Sequence, residues 1–172
     1  MSDLLSTTAL QIVLGVDLGV NGGIAAVRVS KLLEAVYDVP TLADGPGGRR
    51  TVNAPLLAEI IASAHADIAF VEHVGARPGE GAVGAFCFGR SKGIVEGICA
   101  ALGLPIRFIS SPSWKRTIGI PPGKEGAKDA ARAEAIRRWP DKAGLFARVK
   151  DDGRAEAALI AVAGLIREGG AR

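Results

Sequence analysis

Residues 157–166 read AALIAVAGLI, ten positions without a single charge. A helix that is apolar on every side has to be enclosed by the rest of its chain. Ten residues reach only about 15 Å at roughly 1.5 Å per residue, half the thickness of a bilayer core. The run therefore predicts a buried closing helix over residues 153–167. No other stretch approaches the roughly 18 uncharged apolar residues of a membrane span. Short β-branched runs supply the apolar surface such a helix needs. Residues 11–18 (QIVLGVDL) and 22–29 (GGIAAVRV), parted by Gly19, Val20 and Asn21, predict a hairpin. Residues 32–40 predict a weaker third strand ended by Pro40, 67–74 (DIAFVEHV) a buried fourth, and 105–110 (PIRFIS) a fifth.

Helical signals fill the intervals. Asn53 is placed to cap a helix with Pro55 in its first turn, running to about Ala64 with Leu56, Leu57, Ile60 and Ile61 on one face. After the loop 75–81 (GARPGEG), a Gly/Ala-rich helix is expected to run to about Leu102. Ser111 and Ser113 are candidate caps for a short helix through Trp114 and Ile118. Pro121, Pro122 and Gly123 break the chain before a basic helix over 125–139. The stretch 43–50 (ADGPGGRR) is a loop. The fold class expected is α/β: a five-stranded mixed sheet, its first three strands antiparallel, with helices on both faces. At 172 residues, 48% hydrophobic and 23% charged, the chain suits one globular domain (1–172, core about 11–167) and not a disordered protein.

Charge is unevenly spread. Residues 1–75 carry 4 Lys/Arg and 8 Asp/Glu, net −4, whereas 76–172 carry 17 and 10, net +7. Such asymmetry suits either solvated helix faces or a nucleic-acid partner. Cys87 and Cys99 form no CxxC, and on one helix they would lie about 18 Å apart, too far to bridge. With no basic segment at the N-terminus to open a signal peptide, a reduced intracellular protein is expected.

Three segments place carboxylates where a core would not. Asp17 ends the first strand inside an apolar run, and either accepts hydrogen bonds in the following turn or faces a cation. Gly15, Gly19, Gly22 and Gly23 around it let backbone or a phosphate come close. Glu72 ends the fourth strand, sharing a face with Ile68 and Phe70, while His73 points the other way as a packed or loop histidine. Asp151, Asp152 and Glu156 open the apolar helix. Asp152 and Glu156, four residues apart, point within roughly 40° of each other on a helix, whereas Asp151 points about 140° from Glu156, toward solvent or basic neighbours. Capping explains an acid at Asp152 but not one a full turn in. Carboxylates clustered in this way repel unless cations sit among them, and hard oxygen ligands without a Cys/His cluster suit Mg²⁺ or Mn²⁺.

The ordered set VLGVDLGVNGGIAAV, FVEHV, GRSKGIVEGICAALGLPI, PSWKRTIGIPPGKEGAKDAA and DDGRAEAALIA resembles the RuvC-type Holliday-junction resolvases over about residues 11–165. It is closer to the compact phage and prophage forms than to the housekeeping bacterial enzyme. The resemblance implies a ribonuclease H-like fold, a homodimer, and cleavage of paired strands at a four-way DNA junction in the bacterial cytoplasm. Two Mg²⁺ (or Mn²⁺) ions per site and no small-molecule cofactor are implied with it. By motif position it places the catalytic acids and metal ligands at Asp17, Glu72, Asp152 and Glu156, and the catalytic lysines at Lys115 and Lys128 (or Lys124). DNA contacts are expected from Arg90, Lys92, Lys115, Arg116, Lys124 and Lys128. Residues 107–154 hold 12 Lys/Arg against 6 Asp/Glu, a local +6 of the kind that contributes sequence-independent phosphate affinity.

Three departures stand out. The last acids are spaced Asp-x-x-x-Glu where the housekeeping family shows Asp-x-x-Asp. Gly75 stands where the family's junction-probing phenylalanine would follow Glu72, with Phe86 and Phe88 as substitutes or, by composition, core residues. The loop 75–81 differs in length and composition. Two alternatives share most of these motifs: a YqgF-type ribonuclease H-like nuclease acting on structured RNA, and a junction-binding protein that no longer cuts. The DxGxxxG motif also occurs in actin-like ATPases, but that fold needs two such domains and the chain is too short for it.

Overall fold

A tight turn, in which the Gly22 N–H donates to the Gly19 carbonyl (3.1 Å), joins β1 (Ile12–Asp17) to β2 (Gly23–Arg28). The two strands are antiparallel, with Asp17 opposite Gly23. A computed structural model of the chain describes residues 10–75, 79, 81–121 and 127–169, without the side chains of Pro46, Ala127 and Lys128. β3 (Leu33–Asp38) adds antiparallel to β2. Then come the two-residue strands β4 (Thr41–Leu42) and β5 (Thr51–Val52), which pair across the loop expected at 43–50 and were not anticipated.

Asn53 caps α1 (Ala54–Ser63) as expected, accepting from the Leu56 N–H at 3.2 Å. Only Leu57 and Ile61 of its four apolar residues are buried; Leu56 is exposed. β6 (Ile68–His73) runs parallel to β1, and beyond α2 (Ala82–Ala101), β7 (Ile106–Ser110) runs parallel to β6. The chain passes directly into α3 (Ser111–Ile118), then α4 (Ala127–Arg138), and closes with α5 (Asp152–Arg167). The sheet order is β3-β2-β1-β6-β7, mixed in sense.

The pleat of β1 and β6 sorts the core into two layers. Val13, Ile68 and Phe70 face α3, α4 and α5, together with Trp114 and the apolar run of α5. Leu14, Val16, Ala69 and Val71 face α1 and α2. Helices thus cover both faces. The segment between α4 and α5 holds a turn at Pro140–Phe146 that seats a fully buried Phe146, and Trp139 beside it donates its indole N–H to the Lys31 carbonyl at 2.9 Å. Among the described residues no helix is long and apolar enough to cross a membrane.

Two glycine contacts draw α5 onto the hairpin. A Cβ at Gly15 would stand 2.0 Å from the Ala157 carbonyl oxygen, and one at Gly23 would stand 2.4 Å from the Gly153 carbonyl oxygen. Of the two uses open to these glycines, they serve the close approach of backbone. The start of α5 is thereby set against the end of β1.

Candidate active site

β1 and β6 are parallel and end side by side, so their last carboxylates meet. Val16 pairs with Val71, and one residue further stand Asp17 and Glu72, at the carboxyl ends where open α/β sheets gather ligands. The approach of α5 adds Asp152 and Glu156. Burial, then the charges of Glu156, Glu72 and Asp152, push the Asp17 carboxyl well above its ordinary value. Glu156 is also raised, by burial first, with the ammonium of Lys115 working in the opposite direction.

The third wall is α3. Its Trp114, wholly buried, donates its indole N–H to Glu72 Oε1 at 3.0 Å, and Glu72 is itself 8% exposed. The next residue, Lys115, places Nζ 3.5 Å from Glu156 Oε1 and 5.1 Å from the centre of the Trp114 ring. Glu72 and Glu156 are therefore each tied to α3. With the side chains so placed, no three His, Cys, Asp or Glu among the described residues are arranged to hold a metal ion. The donor chemistry nonetheless fits one. Mutually repelling oxygen ligands, one buried at Glu72 and three half-buried, on three elements are the setting in which Mg²⁺ or Mn²⁺ binds, and Lys115 provides the positive charge beside Glu156.

At the mouth of α5 Asp151 meets a basic neighbour, one of the two surroundings expected for it, and not solvent. It is fully buried: its carboxylate accepts from the Arg148 backbone N–H (2.8 Å) and guanidinium (2.7 Å) and closes the turn Val149–Asp151. Burial pulls the Asp151 carboxyl up, yet the bonds and charge of Arg148 outweigh it and hold the group below its usual value. The helix begins at Asp152, one residue earlier than expected, which puts Asp152 within the regular turn it shares with Glu156.

The other expected contacts lie apart from the acids or outside the description. Arg90 and Arg116 are exposed. Lys92 is held by Glu96 at 3.8 Å and sits 4.8 Å above the Phe108 ring, so it does not simply project from α2. Lys124 lies outside the described residues, as does the Lys128 side chain. Phe88 packs on the core, as a core reading of it requires, but Phe86 is 73% exposed, which corrects that reading for Phe86. His73 is exposed and meets Phe108 edge to face, with ring centres 5.7 Å apart. Cys87 and Cys99 are both free, and burial pushes the Cys99 thiol up to about 11. The residue sequence reasoning missed is Trp114. A lone aromatic in the polar helix SPSWKRTI, next to a lysine, was the available signal.

No protein-family model matches the sequence, and no curated protein matches it. Solved structures do. The structure of RuvC from Thermus thermophilus superposes with a TM-score of 0.61, covering 94% of this chain and 98% of that one at 18% identity. The fold is that of RuvC. The T. thermophilus RuvC in complex with Holliday junction substrate gives a TM-score of 0.59 over 93% of this chain and 96% of that one, at 16% identity. The five-stranded mixed sheet and its covering helices are thus the RuvC form of the ribonuclease H-like fold.

Proposed function

We propose that this chain is a metal-dependent endonuclease that hydrolyses phosphodiester bonds in four-way (Holliday) or branched DNA, working as a dimer that makes paired nicks in a bacterial cytoplasm. The observation that carries the reading is the meeting of Asp17, Glu72, Asp152 and Glu156, on a RuvC fold, where burial and mutual repulsion push the Asp17 carboxyl up. Mg²⁺ or Mn²⁺ held by these four acids, two ions per site, would supply charge neutralisation and water activation at the phosphorus.

The protein's own contributions are positional. β1, β6 and α5 hold the acids on rigid elements, and Trp114 fixes one oxygen of Glu72. Lys115 is half-buried against Glu156, which suits a cation that offsets charge developing on the scissile phosphate better than a flexible docking residue. Lys128 is assigned a similar role from its motif. Arg90, Lys92, Arg116 and Lys124 are read as phosphate contacts that orient the arms.

The test is incubation of a synthetic mobile four-way junction, and of a structured RNA, with and without Mg²⁺. Paired, Mg²⁺-dependent nicks in the DNA, lost in Asp17→Asn with junction binding retained, are expected. Cleavage of the RNA alone transfers the site to the ribonuclease reading, and binding without any cleavage identifies a retired enzyme.

A further inference from the structure

Beside Asp152 opens a cleft of about 840 Å³ between the β1–β2 turn, the end of β3 and the turn before α5. That volume lies within the roughly 300–1,000 Å³ typical of ligand sites. Its charges are unequal once partners are considered. Asp38 faces it but takes two 2.7 Å bonds from Arg154, and Asp129 is paired with Arg132. Arg50 is pinned to the side-chain oxygen of Asn21, a neutral amide that leaves the guanidinium charge uncancelled. Lys150 is exposed with no acidic partner among the described residues. Asp152 apart, the described lining of the cleft therefore presents two cations.

Between Arg148 and Lys150 stands Val149, 80% exposed. Nothing in the core needs an apolar side chain there. The turn that presents it is nonetheless rigid, because the buried Asp151 carboxylate binds both the backbone N–H and the guanidinium of Arg148. An apolar tip fixed between cations, at the rim of a cleft that reaches the acid cluster, matches the alternation of apolar base and charged phosphate along a nucleic-acid strand.

We propose that this cleft is a nucleotide-binding subsite: it takes the DNA nucleotide next to the scissile phosphate, its base or sugar against Val149 and its phosphates toward Arg50 and Lys150. Its place beside the scissile phosphate rests on the nuclease reading above; its binding of a strand does not. The strand would then run from the cleft across Asp152 to Lys115 on α3. Arg50 lies outside the basic segment 107–154, and Lys150, inside it, is not among the residues from which DNA contacts were expected.

Two measurements test it, with a fluorescein-labelled oligothymidine and a four-way junction as probes, in EDTA so that binding is read without cleavage. The double variant Arg50→Ala/Lys150→Ala should bind both probes about tenfold more weakly, with a salt slope shallower by about two units. Val149→Asp, at an exposed position where folding tolerates change, should weaken binding as well. In a Cys87→Ser background, Val149→Cys should form disulfides with thiol-tethered DNA at nucleotides adjoining the nick that the wild type makes. A protein that cuts junctions, yet binds unchanged in the variants or crosslinks only far from the nick, overturns the subsite and leaves the nuclease reading standing. A protein whose binding and crosslinking run through the cleft but that never cuts keeps the nucleotide site and overturns the nuclease reading.

Discussion

Replacing Trp114 with Phe keeps a buried ring and deletes one N–H, the one that serves Glu72. Two costs follow. Removing part of a fully buried indole leaves roughly 40 Å³, which at about 24 cal/mol per Å³ amounts to about 1 kcal/mol. Losing a hydrogen bond to a charged carboxylate adds about 1.5–3 kcal/mol. The expected loss at pH 7 is therefore about 2.5–4 kcal/mol, from equilibrium urea unfolding in metal-free buffer. The molecule contains its own control. Trp139 is 5% exposed and donates its indole N–H to a neutral backbone carbonyl, so Trp139→Phe should cost only about 1.5–2.5 kcal/mol in the same buffer. If the two variants lose equal stability, the Trp114–Glu72 bond is not charge-assisted and the reasoning fails.

Three further outcomes are expected. Because Asp17 is raised, the folded chain binds its proton more tightly than the unfolded chain, and metal-free stability falls as pH rises from 3.8 through the folded value. Asp17→Asn should thus raise Tm at pH 7, by about 3 °C per kcal/mol relieved, with the gain fading in acid; a lower Tm at neutral pH would contradict it. Asp151, held low by Arg148, gives stability that is present above its ordinary value and lost as pH falls through the folded one. Asp151→Asn should cost about 1.5–3 kcal/mol at pH 7 by thermal unfolding. Asp152→Asn should cost less stability than that and abolish Mg²⁺-dependent cutting, and the reverse pattern would show that the two acids had been assigned the wrong way round. Gly15→Ala drives a Cβ into the Ala157 carbonyl, so it should lose about 3 kcal/mol or more and move α5 off its register, read by urea unfolding together with junction cleavage.

The strands were legible because their period is two and their ends are marked. Ile68, Phe70 and Glu72 share a face in the structure as alternation required. The acids were legible as anomalies, since an uncompensated carboxylate in an apolar run has no structural excuse. Partnerships were not. Trp114 and Glu72 are 42 positions apart, and only the parallel pairing of β6 with β7, followed at once by α3, brings them together. Asp151 was placed by helical angle alone, but its partner Arg148 belongs to the preceding turn, where those angles do not hold. Phe86 looked like core by composition, yet α2 buries only Ser91, Val95 and Cys99, one narrow stripe at four-residue spacing.

α5 supplies both the largest apolar insert of the core and two of the four clustered acids. A chain emerging from the ribosome has the hairpin, β6 and α3 long before it has residues 152–167. Until then one side of the sheet lacks its cover, and Asp17 and Glu72 lack their neighbours. Such long-range closure is slow compared with local folding and leaves apolar surface open to aggregation meanwhile. The same event that buries that surface completes the cluster. A nascent or C-terminally clipped chain therefore lacks the cover of its sheet and two of the four acids together, so an incomplete copy cannot assemble the cluster.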